Sequence, residues 1–160
     1  MPYEVVNNKG LFVAITAVPE ADTPFSILKP IRKSLELVRI VLEQSSTVHE
    51  SLKIFHKYTV VFGTSLGNPL VHYKITDALG DSAIIEFIGN EIKITRDSVM
   101  TNHYNINHAC DADNKTSFDR YKIADNALKT PPNSIADAHR ILKAVSQDIT
   151  VWSNVYDLIN

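Results

Sequence analysis

The sequence predicts an α+β fold, because its helical stretches come in pairs and its strands come in sets joined by short turns. That order indicates helical layers on antiparallel sheets rather than alternating βα units around a parallel sheet. The composition, with 44% hydrophobic and 21% charged residues, is typical of a globular domain. At this length, and without a repeat or a linker-like stretch, residues 1–160 are expected to form one domain.

A hairpin is predicted at the start of the chain. Residues 3–6 and 11–18 are rich in strand-forming residues, and they flank the sequence Asn7-Asn8-Lys9-Gly10. Asn and Gly tolerate a positive φ, so this turn chemistry is a strong hairpin signal. The first strand is already under way at Tyr3, with almost no residues leading into it.

Two helices are predicted next. Pro30 suits the first turn of a helix, and apolar residues follow it at helical spacing. The stripe consists of Ile31, Leu35, Val38, Val41 and Leu42. Thr47 and Glu50 form a capping box that starts the second helix. These helices should pack together as a layer.

A three-stranded meander follows. A short strand "TVVFG" is predicted first, and the meander strands are "VHYKITD", "SAIIEF" and "EIKIT". Asp77 is expected in the first turn, His72 as a half-buried structural histidine and Glu86 on an exposed face. "SVMTN" is predicted to be one more short strand, followed by a polar loop.

The last third is predicted to contain two helices and a strand. One helix begins near Asp119 and ends before Pro131-Pro132, and the other begins at Ser134. The expected buried stripe of the second is Ile135, Ala138, Leu142 and Val145. The final residues, "ITVWSNVYDLIN", are β-rich. Both chain ends thus resemble sheet edges, and open edges favour a homo-oligomer formed by strand pairing.

Charge and hydropathy exclude several classes of function. A formal net charge of −2 gives no electrostatic case for binding nucleic acid. The chain has no apolar run near the ~20 residues of a membrane span, and its start does not resemble a signal peptide. Cys110 is the only cysteine, so no internal disulfide is possible. We expect a cytoplasmic protein with no membrane partner.

The polar loop contains possible metal ligands. His103, His108 and Cys110 lie close together, beside Asp111 and Asp113. A structural zinc site needs four ligands at regular spacing, which this loop lacks. The sequence "DADNKTSFD" also fails as a calcium loop, because no glycine stands at its sharp turn. We interpret the segment as a surface loop and expect neither a metal nor a cofactor.

Two other groups are possible reactive centres. Cys110 has histidines nearby in sequence, but an irregular loop is a poor place to hold reacting groups, so an inert thiol is favoured. Pro2 would become a basic secondary amine if Met1 were removed, as in tautomerases. Nothing after residue 5 resembles that family, and we treat the coincidence as uninformative.

Asn102 and Arg120 are the polar residues with the clearest chemical use. Asn102 ends the predicted strand in "VMTN", where its amide can donate to a developing oxyanion. Arg120 lies near the start of a predicted helix, where the helix dipole does not favour a cation. A surface ion pair with Asp119 or another acid is the default explanation of Arg120. From spacing alone, no catalytic set emerges.

Five segments together resemble one known family. In order they are "NNKGLFVAITAVP", "PLVHYKITDALGDSAIIEF", "VMTN", "DRYKIADNAL" and "LKAVSQDITVWSNVYDL". They resemble the linear amide C–N hydrolases of the choloylglycine hydrolase and penicillin V acylase family. The resemblance implies an αββα four-layer sandwich of the N-terminal nucleophile hydrolase type. It also implies hydrolysis of a small-molecule amide, such as penicillin V or a bile-salt conjugate.

The resemblance assigns roles to two residues, but other functional positions of the family have no counterpart in this sequence. Asn102 falls on an asparagine on the oxyanion side, and Arg120 on an active-site arginine. The family nucleophile is an N-terminal cysteine on strands before the "NNKGL" turn, and Cys110 does not correspond to it. Ala17 stands where some members have asparagine. We therefore expect a sandwich incomplete at both ends, inactive alone or needing a complementing segment. The alternative is a non-catalytic binding or self-associating domain.

Overall fold

The fold is built on one five-stranded antiparallel sheet with the strand order β1-β2-β5-β6-β7. The computed structural model describes residues 3–63, 69–106 and 115–159. The strands are β1 (Glu4–Val6), β2 (Phe12–Ala17), β3 (Ile31–Lys33), β4 (Thr59–Val61), β5 (Val71–Thr76), β6 (Ser82–Ile88) and β7 (Glu91–Thr95). The helices are α1 (Ser34–Gln44), α2 (Val48–Lys57), α3 (Lys115–Leu128) and α4 (Ile135–Ala144). The α+β prediction, the hairpin and the meander are confirmed.

The hydrophobic core lies between one face of the sheet and the helices α1 and α2. Alternate residues of β2, β5 and β6 point to this face, and they are fully or almost fully buried. Phe55 of α2 packs edge-on against Tyr73 of β5, with ring centroids 4.9 Å apart. The Tyr73 hydroxyl donates to the backbone oxygen of Ser34, 2.9 Å away. The helices α1 and α2 thus cover the apolar face of the sheet, and the opposite face carries the polar side chains.

The first helix starts later than predicted. Residues 31–33 form β3, which pairs in parallel with β4. The carbonyl of Pro30 accepts the backbone N–H of Thr59 at 3.0 Å, so it is not available to a helix. The prediction of a helix from Pro30 is wrong because this strand pairing takes up the backbone groups of the first turn.

The start of α2 agrees with its capping signal and gains a second cap from the meander. The Thr47 hydroxyl accepts the N–H of Glu50 at 3.2 Å. Asp77 accepts the N–H of Val48 at 2.9 Å with one oxygen, and the N–H of Leu79 in its own turn at 3.0 Å with the other. The turn role of Asp77 is confirmed, and the same carboxylate ties α2 to the sheet.

Three predictions for the second half are wrong. Residues 98–102 and 149–159 form no strand. Helix α4 buries none of its residues, and Ile135 is 70% exposed. The final segment instead lies beside β1 through side chains: the amide of Asn154 and the hydroxyl of Tyr156 both donate to Glu4. Because these contacts use side chains, the segment follows the sheet without joining its ladder.

The final segment packs closely against Gly10 in the first hairpin turn. The φ of Gly10 is +74°, and an added Cβ would collide with the backbone oxygen of Leu158. Gly80 has a similar φ of +85° with nothing within 4 Å of the added atom. We expect Gly80→Ala to lower the free energy of unfolding by about 1–2 kcal/mol through backbone strain. Gly10→Ala should cost about 1–3 kcal/mol more through overpacking. Urea unfolding measures both, and equal losses would contradict the packing.

Candidate functional site

The face of the sheet opposite the core is polar and covered. Strand alternation places Thr16 of β2, His72 of β5 and Glu86 of β6 on this face, and Thr16 is the register partner of His72. His72 is 1% exposed and Glu86 is 0% exposed. The prediction of an exposed Glu86 is wrong, and His72 is more buried than predicted. Both are covered because residues 97–106 cross this face.

The segment 97–106 is anchored to α3 by a cluster of hydroxyl groups and rings. The Thr101 hydroxyl donates to the Ser117 backbone oxygen at 3.1 Å, and the Ser117 hydroxyl accepts the N–H of Asn102 at 2.7 Å. His103 is fully buried, and its ring lies 5.4 Å from those of Phe118 and Tyr121. The surface-loop interpretation is therefore wrong for His103.

Asn102 and Arg120, which are 18 residues apart in sequence, are in direct contact. The Nη2 of Arg120 donates to Oδ1 of Asn102 at 2.8 Å. The Nδ2 of Asn102 donates to the backbone oxygen of Ala17, the last residue of β2, at 3.0 Å. The two side chains thus form a chain of hydrogen bonds from α3 to the edge of the polar sheet face.

Arg120 lacks the surface ion pair that was expected by default. Asp119 pairs instead with Lys122, with 2.8 Å between Nζ and Oδ1. Helix α3 begins at Lys115, so Arg120 lies in its second turn rather than at its start. Among the described residues, Arg120 has no carboxylate partner, and its Nε is buried without a hydrogen-bond acceptor. Burial also lowers the pKa of Arg120, because the guanidinium is partly removed from water.

Arg120 forms part of the wall of a cleft of about 790 Å³. The cleft lies between β2, α4 and the final segment, and aromatic and apolar side chains line much of it. They include Tyr3, Leu142, Trp152 and Tyr156, with Thr16 and Arg120 among the polar members. A neighbouring cavity of about 560 Å³ shares Arg120 with it. A concave, largely apolar space with a few fixed polar groups is the usual form of a small-molecule site.

A second polar cluster supports the same segment. Asp97 accepts from the Tyr121 hydroxyl at 2.8 Å and from Nδ2 of Asn105 at 3.0 Å. The Lys74 ammonium donates to the backbone oxygen of Asp97. Burial raises the pKa of Asp97, but hydrogen bonds from Val99, Tyr121 and Asn105 outweigh it and hold that pKa below its ordinary value. The cluster ties α3 and β5 to residues 97–106.

Lys74 predicts a pH dependence of stability. Burial lowers its pKa to about 8, and the charge of Asp97 opposes that shift. The unfolded chain keeps this proton up to about pH 10.4, so it binds more protons than the folded chain above pH 8. Stability should therefore rise by about 1–2 kcal/mol from pH 7.5 to 9.5. Urea unfolding at several pH values measures this rise, and Lys74→Met should flatten it. An equal rise in both proteins would contradict the assignment.

Part of the predicted chemistry lies outside the described residues. His108, Cys110, Asp111, Asp113 and Pro2 cannot be placed relative to the cleft. Within residues 3–63, 69–106 and 115–159, no cluster of acidic, histidine or cysteine side chains is arranged to hold a metal ion. None of the helices in these ranges is both long and apolar enough to cross a bilayer.

Sequence reasoning missed three members of the site. Thr16 and Ser117 gave no signal, because hydroxyl residues are common in strands and helices and only the fold brings these two near Asn102. Glu86 did carry a signal: it interrupts the apolar run "AIIEFI". A charge in such a run is buried only when it is paired and hydrogen-bonded, which points to a covered polar face.

Comparison with known proteins identifies the family. Residues 3–149 match the family model of the linear amide C–N hydrolases, choloylglycine hydrolase family. This chain belongs to that family. A search of curated proteins finds no match to this chain.

Solved structures of hydrolases share the fold. The structure of penicillin V acylase from Agrobacterium tumefaciens matches with a TM-score of 0.72 and 23% identity, over 94% of this chain and 54% of that one. A mutant of conjugated bile acid hydrolase from Clostridium perfringens matches with a TM-score of 0.54 and 16% identity, over 75% of this chain and 37% of that one. A second variant of the same bile acid hydrolase gives a TM-score of 0.55 with the same identity and shares.

These matches confirm the predicted N-terminal nucleophile hydrolase fold. This chain spans about half the length of the acylase and just over a third of the length of the bile acid hydrolase. At this level of identity, the likeness supports the fold and leaves the substrate open.

Proposed function

We propose that this chain forms the charge-stabilising part of a linear amide hydrolase site, with Asn102 and Arg120 as its functional residues. One observation supports this most strongly: the buried Nε of Arg120 has no acceptor among the described residues, while Nη2 is fixed to Asn102. A buried donor without an acceptor is costly. An anionic oxygen or sulfur bound in the cleft would satisfy it.

The chemistry of amide hydrolysis supplies such an anion. Attack on the amide carbonyl places negative charge on its oxygen, and fixed donors in a site shielded from water stabilise that charge. Arg120 cannot lose its proton in a protein, so it remains a donor throughout the reaction. Asn102 holds the guanidinium in place through Oδ1, while its Nδ2 donates to the backbone oxygen of Ala17. In this proposal Asn102 acts by orienting the Arg120 donors.

The proposed nucleophile is an N-terminal cysteine on a segment that this sequence does not contain. A thiolate is a strong nucleophile, and an N-terminal amine can serve as its base. Cys110 is the only cysteine here, and it follows Asn102 rather than preceding the "NNKGL" turn. On this proposal the chain is inactive alone and hydrolyses amides when a Cys-led segment joins the sheet.

The proposed substrates are small amides of the penicillin V or bile-salt-conjugate type, on which the named relatives act. Apolar and aromatic walls of the cleft, such as Trp152 and Tyr156, suit an apolar group attached to the amide. The polar end beside Arg120 would receive the scissile carbonyl.

An amidase assay tests the proposal. Penicillin V and glycocholate are incubated with the chain alone, and then with a Cys-led segment of this family that is added separately or fused ahead of Tyr3. We expect no turnover from the chain alone and measurable turnover from the completed enzyme. Turnover by the chain alone would contradict the proposal, as would a folded fusion that stays inactive.

Self-association through the sheet edges is the second candidate function. β1 and β7 are the two edges of the five-stranded sheet, and unpaired edges are templates for strand addition. Sedimentation at several concentrations tests it: a stable dimer of the chain without amidase activity in any fusion would favour this candidate. A cytoplasmic location stays a prediction from the sequence.

A further inference from the structure

The proposed chemistry leaves one buried charged pair without a role. The Nδ1 of His72 lies 3.1 Å from Oε1 of Glu86, and the two side chains are 1% and 0% exposed. Both lie on the polar sheet face, on adjacent strands. Burying two ionisable groups is costly unless their remaining polar atoms are also bonded. Where those remaining bonds go therefore indicates what the pair does.

The carboxylate of Glu86 binds the chain after Asn102. Its Oε1 accepts the N–H of Asn105 at 2.6 Å, and its Oε2 accepts the N–H of Ile106 at 2.9 Å. Both oxygens are thus used by two consecutive backbone groups. This contact fixes the segment three to four residues beyond Asn102 to the middle of β6.

His72 binds the chain just before Asn102. Its Nε2 lies 2.7 Å from the backbone oxygen of Thr101, and the Thr16 hydroxyl donates to the same oxygen at 3.0 Å. A carbonyl and a carboxylate can only accept, so the ring donates from both nitrogens. Both ring nitrogens and both carboxylate oxygens of the pair therefore have bonded partners.

We propose that His72 and Glu86 are positioning residues that hold the backbone on both sides of Asn102 and so set the place of the Asn102–Arg120 pair. Residue 101 is held by His72, and residues 105 and 106 are held by Glu86, while Asn102 lies between them. The segment has no regular secondary structure of its own. Its shape therefore depends on bonds to its neighbours, to the sheet through His72 and Glu86 and to α3 through Ser117.

A substitution on the same strand but the opposite face separates positioning of Asn102 from simple stabilisation of the fold. Y73F offers the matched comparison, because Tyr73 neighbours His72 on β5 but points to the opposite face, where its hydroxyl bonds Ser34. Loss of that bond should destabilise the domain without changing Asn102. Loss of the Glu86 carboxylate should both destabilise the domain and move Asn102. The consequence for catalysis rests on the proposed function, whereas the positioning of Asn102 does not.

The test is NMR spectroscopy of the ¹⁵N-labelled chain. The signals followed are the side-chain amide of Asn102, the Nε–H of Arg120 and the ring nitrogens of His72. The first variant, E86Q, replaces one carboxylate oxygen with an amide NH₂, which cannot accept a backbone N–H. The second, T16V, removes only the hydroxyl that donates to the backbone oxygen of Thr101. We expect both ring nitrogens of the wild-type protein to be protonated, and both variants to shift the Asn102 and Arg120 signals by several line widths.

The outcomes separate the two explanations. Y73F should leave the Asn102 and Arg120 signals in place while lowering the midpoint of unfolding. Folded E86Q or T16V with wild-type Asn102 and Arg120 signals would overturn the proposal. If E86Q does not fold, T16V decides alone, because it keeps the size of the side chain. If E86Q and T16V shift the Asn102 and Arg120 signals but the wild-type completed enzyme is inactive, the proposed function is wrong and the positioning role stands.

Discussion

Glu86→Ala is expected to lower the free energy of unfolding by about 3–5 kcal/mol, because it removes one partner of a buried pair. The change removes the carboxylate partner of His72 and also leaves the N–H groups of Asn105 and Ile106 without their acceptor. Unpaired buried donors each add to the cost. Chemical unfolding followed by tryptophan fluorescence measures the loss.

Glu91 is the matched control for this change. It also pairs with a cation, Lys93, but it starts β7 and its side chain is 63% exposed. Glu91→Ala should therefore change the stability by no more than about 0.5 kcal/mol. Equal losses at the two positions would show that the buried pair is not bonded as described.

Arg120→Ala is expected to lower the turnover of the completed enzyme by about 10²–10³-fold, the typical cost of removing one oxyanion donor. Arg120→Lys should recover little of this loss. A lysine keeps the charge but lacks the planar fork that binds Asn102 and presents Nε at the same time. Steady-state kinetics on penicillin V measure both variants, with the loss expected in kcat.

Arg140 provides the control for the arginine variants. It lies on α4, pairs with Asp137, and its side chain is 77% exposed. Arg140→Ala should leave turnover unchanged. A loss in Arg140→Ala as large as that in Arg120→Ala would mean that general charge, and not the position of Arg120, controls the reaction.

The fold was predictable where local signals and tertiary packing agree. The turn at residues 7–10, the Thr47 cap and the alternation of β5 each required only a few neighbouring residues, and each is confirmed. Pro30 failed as a helix start because a parallel pairing with β4, 28 residues away, uses its neighbours. Such a pairing leaves no local mark in the sequence.

Asn102 and Arg120 could be proposed from the sequence, but the cluster around them and its geometry could not. Their chemistry singles out Asn102 and Arg120 and motif resemblance gives them roles, but nothing in their spacing indicates the hydrogen bond between them. Glu86 was misplaced because strand alternation does not say which faces are covered. Only the path of residues 97–106 decides that, and an irregular segment has no periodicity from which to predict its path.

The most direct measurement of the central claim is the rate at which penicillin V acylates the cysteine of an added N-terminal segment, followed by mass spectrometry of the thioester. The claim is that Asn102 and Arg120 stabilise the anion formed by a nucleophile from outside this sequence. It predicts acylation with the wild-type chain and a rate about 10²–10³-fold lower with Asn102→Ala. Equal acylation rates with the two chains would contradict the claim.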